Sequence, residues 1–68
     1  MKLSARNQLK GKIVDVKKGA TTSHLRVDIG GGLIVTSSIT NEAVADLDLR
    51  VGDDAWAIIK ASDVMIGK

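Results

Sequence analysis

Cysteine is absent from this sequence, and so are proline, phenylalanine and tyrosine. Without cysteine there is no disulfide framework and no thiolate zinc site. The single histidine, His24, cannot assemble a metal cluster alone. Trp56 is the only aromatic residue. Non-specific single-strand binders stack bases on several aromatic side chains, at about 1–3 kcal/mol per base, so the missing aromatics weigh against that function. No run of like charges exceeds two residues, which excludes a nucleic-acid-binding tail and a polybasic membrane anchor. No apolar segment is long enough to span a bilayer, and no signal-peptide core follows Met1. A cytoplasmic protein is expected.

What remains is one domain, residues 1–68, with 44% hydrophobic residues and a formal charge of +2. A core of this size supplies only a few kcal/mol, and natural chains of such length add disulfides, a metal or self-association. Disulfides and thiolate zinc sites are already excluded, so a homo-oligomer is expected. No linker, low-complexity stretch or internal repeat interrupts the chain.

The β-branched run Ile13-Val14-Asp15-Val16, bounded by Gly11 and Gly19, predicts a first strand over Lys10–Lys18. Thr22–Ile29 alternates, with Leu25, Val27 and Ile29 on one face and His24, Arg26 and Asp28 on the other, as a half-buried strand does. Gly30-Gly31-Gly32 permits positive φ angles and Leu33–Ser38 resumes with strand formers, so a hairpin follows. From Thr40 to Leu49 the period changes: Ala43, Val44 and Leu47 fall at helical spacing, with Thr40 as N-cap and Glu42 in the first turn. Gly52-Asp53-Asp54 is a turn, Ala55–Lys60 a fourth strand and Asp63–Ile66 a fifth. The fold class expected is all-β: a five-stranded OB-type barrel with one short helix between strands 3 and 4. Closure or exchange between subunits would hide its edges.

Catalysis finds little support. No cysteine nucleophile exists, the carboxylates are scattered, and His24 lies with Arg26 and Asp28 on the solvent side, as a surface histidine. The glycine triplet leads into a strand and not a helix, so it reads as a turn and not a phosphate loop. Trp56, in a strand with Ile58, is expected in the core or a subunit interface. The constellation that carries chemistry is Ser4-Ala5-Arg6-Asn7-Gln8 with Lys60 and Ser62. Arg6 and Lys60 would neutralise a dianion, Ser4 and Ser62 would donate hydroxyl protons, and backbone near Ala5 and Arg6 would add N–H groups. Hydrogen bonds to charged groups contribute about 1.5–3 kcal/mol each, so four or five reach the roughly 8 kcal/mol of micromolar binding. The same residues also fit a solvated terminus, and Thr40 fits plain helix capping.

Ser4-Ala5-Arg6-Asn7-Gln8-Leu9-Lys10-Gly11 resembles the opening signature of the molbindins, or Mop proteins, whose domain is TOBE-like. Ala57 through Ile66 resembles their last strands, and Ile29–Gly32 and Thr36–Thr40 are similar in kind and position. The resemblance covers nearly the whole chain. It implies strand exchange between subunits, a hexamer arranged as a trimer of dimers, and molybdate or tungstate bound at subunit interfaces for storage or homeostasis, without catalysis and without a cofactor. It implies contacts from Ser4, Ala5, Arg6 and Lys60, with Thr40 from a neighbouring subunit and Ser62 nearby. Ala43 stands where related domains often carry serine, so that hydroxyl is missing. A second oxyanion site is implied near Gly19, Ala20 and Thr21. The alternatives are an accessory molybdate-sensing domain of a transporter or regulator, against which Met1 and the missing linker argue, and an OB-type nucleic-acid module, against which the missing aromatics argue.

Overall fold

The computed structural model describes residues 1–68. Four strands form, β1 (Asn7–Lys18), β2 (Thr22–Asp28), β3 (Ile34–Thr40) and β4 (Asp54–Ile59), with helix α1 (Asn41–Asp46) between the last two. They make one antiparallel sheet in the order β3-β2-β1-β4, curled into an OB-like half-barrel. β1 is the spine. Residues Asn7–Lys12 pair with β4 and Lys12–Lys18 with β2, and the register shifts by one residue between Ile13 and Asp15. A bulge of this kind bends a strand and raises its twist, which lets one strand serve both halves of the curl. The turn after α1 holds the bulge in place: Ile13 N–H donates to Asp53 O (2.9 Å) and Gly52 N–H donates to Ile13 O (2.8 Å). Gly11 sits where β1 changes partner, and a Cβ there would lie 2.4 Å from Asp28 O.

The β2–β3 hairpin forms as expected. Gly30, Gly31 and Gly32 have φ of +97°, +62° and +78°, three successive left-handed residues that only glycine adopts cheaply. Asp28 Oδ1 accepts the Gly30 N–H at 2.8 Å. Helix α1 is shorter than its apolar spacing suggests. It stops at Asp46 because Asp48 turns left-handed (φ +49°). Asp48 N–H then donates to Ala45 O and Leu49 N–H to Val44 O, both at 3.1 Å, the Schellman closure.

The fifth strand expected over Asp63–Ile66 does not form within the chain. Asp63 N–H donates to Lys60 O (2.9 Å) and Val64 N–H to Ala61 O (3.3 Å), making a 3-10 turn over Ala61–Asp63. No free strand edge of the same chain receives the residues that follow, and Met65 and Ile66 are 93% and 90% exposed.

The core is small. Ile13, Leu25 and Val27 are its buried apolar members, flanked by partly buried residues including Val16, Ile39 and Val44. Thirteen large apolar side chains are exposed, Trp56 among them at 49%. The single chain therefore does not place Trp56 in its core. Instead its ring lies under Lys10 Nζ at 5.4 Å. Between the two sheet edges, β3 and β4, the half-barrel stays open as a groove of about 700 Å³, with 13 of its 16 lining residues hydrophobic. The chain exposes 5397 Å², whereas surface scaling for a folded monomer of its mass gives about 4,100 Å². The excess, about 1,300 Å², is larger than one partner's share of a standard interface, about 800 Å².

Candidate oxyanion site

The β1–β4 ladder determines what stands beside what at the N-terminus. Asn7 pairs with Ile59 as the last rung, so the chain enters through Ser4-Ala5-Arg6 next to where it leaves through Lys60-Ala61-Ser62. Asn7 closes the rung with its side chain, Nδ2 donating to Ile59 O at 3.1 Å. Gln8 Nε2 reaches back to Ala5 O at 3.4 Å. Ser4, Arg6, Lys60 and Ser62 are exposed and Ala5 is half-buried. The ion pairs in the chain are Lys12–Asp54 and Asp48–Arg50, so Arg6 and Lys60 both lack a carboxylate partner, Asp63 included. The N–H groups of Ala5 and Arg6 donate to no atom of the chain. Two cations without a carboxylate partner, two hydroxyls and two free N–H groups thus flank one end of the ladder, a donor-rich set suited to an anion.

Thr40 lies elsewhere. It ends β3, paired with Thr22, at the far end of β1 from Arg6. The 12 residues of β1, a contour of roughly 36 Å at about 3.3 Å per residue that the bulge bends, lie between the two ends. Within one chain Thr40 cannot meet Arg6. Its hydroxyl caps α1, accepting the Ala43 N–H at 3.0 Å. That bond uses an acceptor lone pair and leaves the hydroxyl proton free to donate. Ala43 offers neither a hydroxyl nor its N–H, which the cap consumes.

Gly19, Ala20 and Thr21 form the β1–β2 turn, at the same end as Thr40. Asn41 N–H donates to Thr21 O at 2.9 Å, and Asn41 Nδ2 donates to Gly19 O and Ala20 O at 3.0 and 3.3 Å. The expected residues therefore fall into two groups, Ser4, Ala5, Arg6, Lys60 and Ser62 at one end of the sheet and Gly19, Ala20, Thr21 and Thr40 at the other. Sequence reasoning missed Asn41 and its partner Ser23. The signal was available: Ser23 shares the inward parity of Leu25 and Val27, and a polar residue there calls for a buried hydrogen-bond partner.

A family model for the TOBE domain matches residues 3–66. The chain belongs to the TOBE domain family. This TOBE domain is 51% identical over 67 residues to a probable molybdenum-pterin-binding protein of Haemophilus influenzae, across 98% of the domain and 97% of that protein. Its fold matches a molybdate-binding protein from Sporomusa ovata with a TM-score of 0.93 at 35% identity, covering 100% of both chains. It also matches the cytoplasmic molybdate-binding protein ModG, solved with molybdate bound, at a TM-score of 0.91 and 43% identity; 96% of the domain is covered but 46% of the ModG chain. No helix of the domain is long and apolar enough to cross a membrane.

Proposed function

We propose that this TOBE domain binds molybdate, and tungstate with it, at the interfaces of a homo-oligomer and stores the anion in the cytoplasm without transforming it. One observation carries this reading. Arg6 and Lys60 flank the last rung of the β1–β4 ladder, one on each strand and neither with a carboxylate partner, while the hydroxyl of Thr40 stands at the opposite end of the sheet. Each chain then offers two halves of a site, and only a second copy brings an Arg6–Lys60 end to a Thr40 end. The relatives named for molybdenum or molybdate supply the ligand class.

The contacts proposed are the side chains of Ser4, Arg6 and Lys60 and the N–H groups of Ala5 and Arg6, with the Thr40 hydroxyl from the neighbour and Ser62 at the margin. A second place for the anion is proposed at Gly19, Ala20 and Thr21. The assembly proposed is a hexamer, a trimer of strand-exchanged dimers. The open apolar groove and the unpaired segment after Asp63 support exchange, because each is what the other would cover. The contacts are cations, N–H groups and hydroxyls with no carboxylate among them, so an oxyanion that keeps its double negative charge is favoured over one that carries a proton.

Native mass spectrometry with and without molybdate tests the whole reading. A hexamer gaining discrete molybdate masses is expected. A hexamer that takes up no anion removes the function and keeps the assembly, and a monomer without anion removes both.

A further inference from the structure

The chain buries one polar side chain, Ser23, 1% exposed on the inward face of β2. Its hydroxyl donates to Asn41 Oδ1 at 2.5 Å. This bond sets which way round the Asn41 amide lies, since the opposite rotation would press Oδ1 against two carbonyl oxygens. With Oδ1 on Ser23, Nδ2 reaches Gly19 O and Ala20 O, and the Asn41 backbone N–H takes Thr21 O. One residue thus occupies all three carbonyl oxygens of the β1–β2 turn. Of the turn's donors, Gly19 N–H is used by Thr22 O at 2.8 Å, while the N–H groups of Ala20 and Thr21 donate to no atom of the chain. Beside the turn opens a concavity of about 210 Å³ lined by Lys17, Lys18, Gly19, Thr22 and His24, with no carboxylate and no hydrophobic residue. The nearest acid on that face of β1, Asp15, stands opposite Arg26.

We infer that Asn41, oriented by Ser23, is the positioning residue that engages the carbonyls of Gly19–Thr21 and leaves the turn's free N–H groups to a tetrahedral oxyanion. Carbonyl oxygens repel an anion and free N–H groups attract one, so a turn binds anions only when its carbonyls face away or are satisfied. Asn41 satisfies them all. Lys17 and Lys18 add the positive potential. Asn41 itself touches no ligand; it acts through the turn. The inference rests on the second oxyanion place proposed above and assigns what builds it.

The test is a molybdate titration by calorimetry on the intact assembly, with native mass spectrometry counting bound ions. Wild type is compared with Arg6→Ala, Asn41→Ala, Ser23→Ala and the Ser23→Ala/Asn41→Ala double variant. Two binding classes are expected, one lost in Arg6→Ala. Asn41→Ala should weaken the other class at least tenfold and leave the Arg6-dependent class within about threefold. Ser23→Ala should weaken the same class, and the double variant should bind no worse than Asn41→Ala, since both act through one amide. A general loss of stability would lower both classes together. Should Asn41→Ala fail to assemble, amide NMR of wild type still decides: the Ala20 and Thr21 N–H resonances must shift as the second class fills. Two classes that persist unchanged in Asn41→Ala overturn the inference, as do unmoved Ala20 and Thr21 resonances. A single class governed by Arg6 overturns it too while sparing the proposed function, whereas no uptake at all by wild type removes the function and the inference with it.

Discussion

Arg6 and Lys60 are exposed, without a carboxylate partner, and flank the last rung of the β1–β4 ladder, so each is free to give its donors to an anion. Arg6→Ala should weaken molybdate binding by about 2 kcal/mol or more, the upper part of what a hydrogen bond to a charged group contributes. Lys60→Met should do the same while keeping the aliphatic stem. Calorimetric titration of both variants, with the assembly checked by light scattering, measures this; wild-type affinity in either one moves the site elsewhere. Gly11 answers to a different constraint. A methyl at Gly11 would meet Asp28 O at 2.4 Å and Val27 Cγ1 at 2.8 Å, and neither backbone nor a β-branched side chain yields easily. Gly11→Ala should cost about 1–3 kcal/mol, the usual range for overpacking, read as a lower urea midpoint at fixed protomer concentration.

At the scale of elements, the strands and the hairpin follow local rules and the helix end breaks one. Asp48 holds φ +49°, where a residue with a Cβ is strained by roughly 1–2 kcal/mol. Its ion pair with Arg50 offsets little, because both side chains are about three-quarters exposed (75% and 74%) and such pairs are worth about 0–1 kcal/mol. Asp48→Gly should therefore stabilise the fold by up to about 1 kcal/mol. A thermal scan showing no gain would mean that the pair, or unfolded-state freedom of the new glycine, cancels the relief. The bulge at Val14 is the other decisive local feature. It lets β1 pair with β4 through its first half and with β2 through its second, and so brings the segment before Asn7 beside the segment after Ile59. The candidate site is a consequence of that ladder.

At the scale of the molecule, the chain by itself leaves thirteen large apolar side chains exposed. Four of its 68 residues are buried, the groove between β3 and β4 is open and apolar, and the segment from Val64 to Ile66 pairs with no strand of its own chain. A ligand bound only by the assembled protein stabilises it by mass action, about 2.7 kcal/mol at a hundredfold excess over Kd. Molybdate should raise the unfolding temperature and make it depend on anion concentration, and an equal rise with single-stranded oligonucleotide would favour the nucleic-acid reading instead. The sheet was legible in advance because alternation, β-branching and glycine turns are local signals. Thr22–Asp28 and the Gly30–Gly32 hairpin formed where the pattern placed them. The fifth strand does not form within the single chain, where Ala61–Asp63 turn as a 3-10 helix, because pairing is decided by which edge the tertiary fold brings near and not by propensity.

By itself, the sequence determined a largely β chain, a capped helix after the third strand, the absence of any disulfide, and a donor-rich N-terminal segment. Those properties reside in residue type and spacing, which are present before folding. Only the tertiary structure decided that Arg6 and Lys60 share one end of a ladder while Thr40 stands at the other, and that Ser23 is buried against Asn41. Both are contacts between residues far apart in the chain, and strand order and register alone decide which of those distant residues meet.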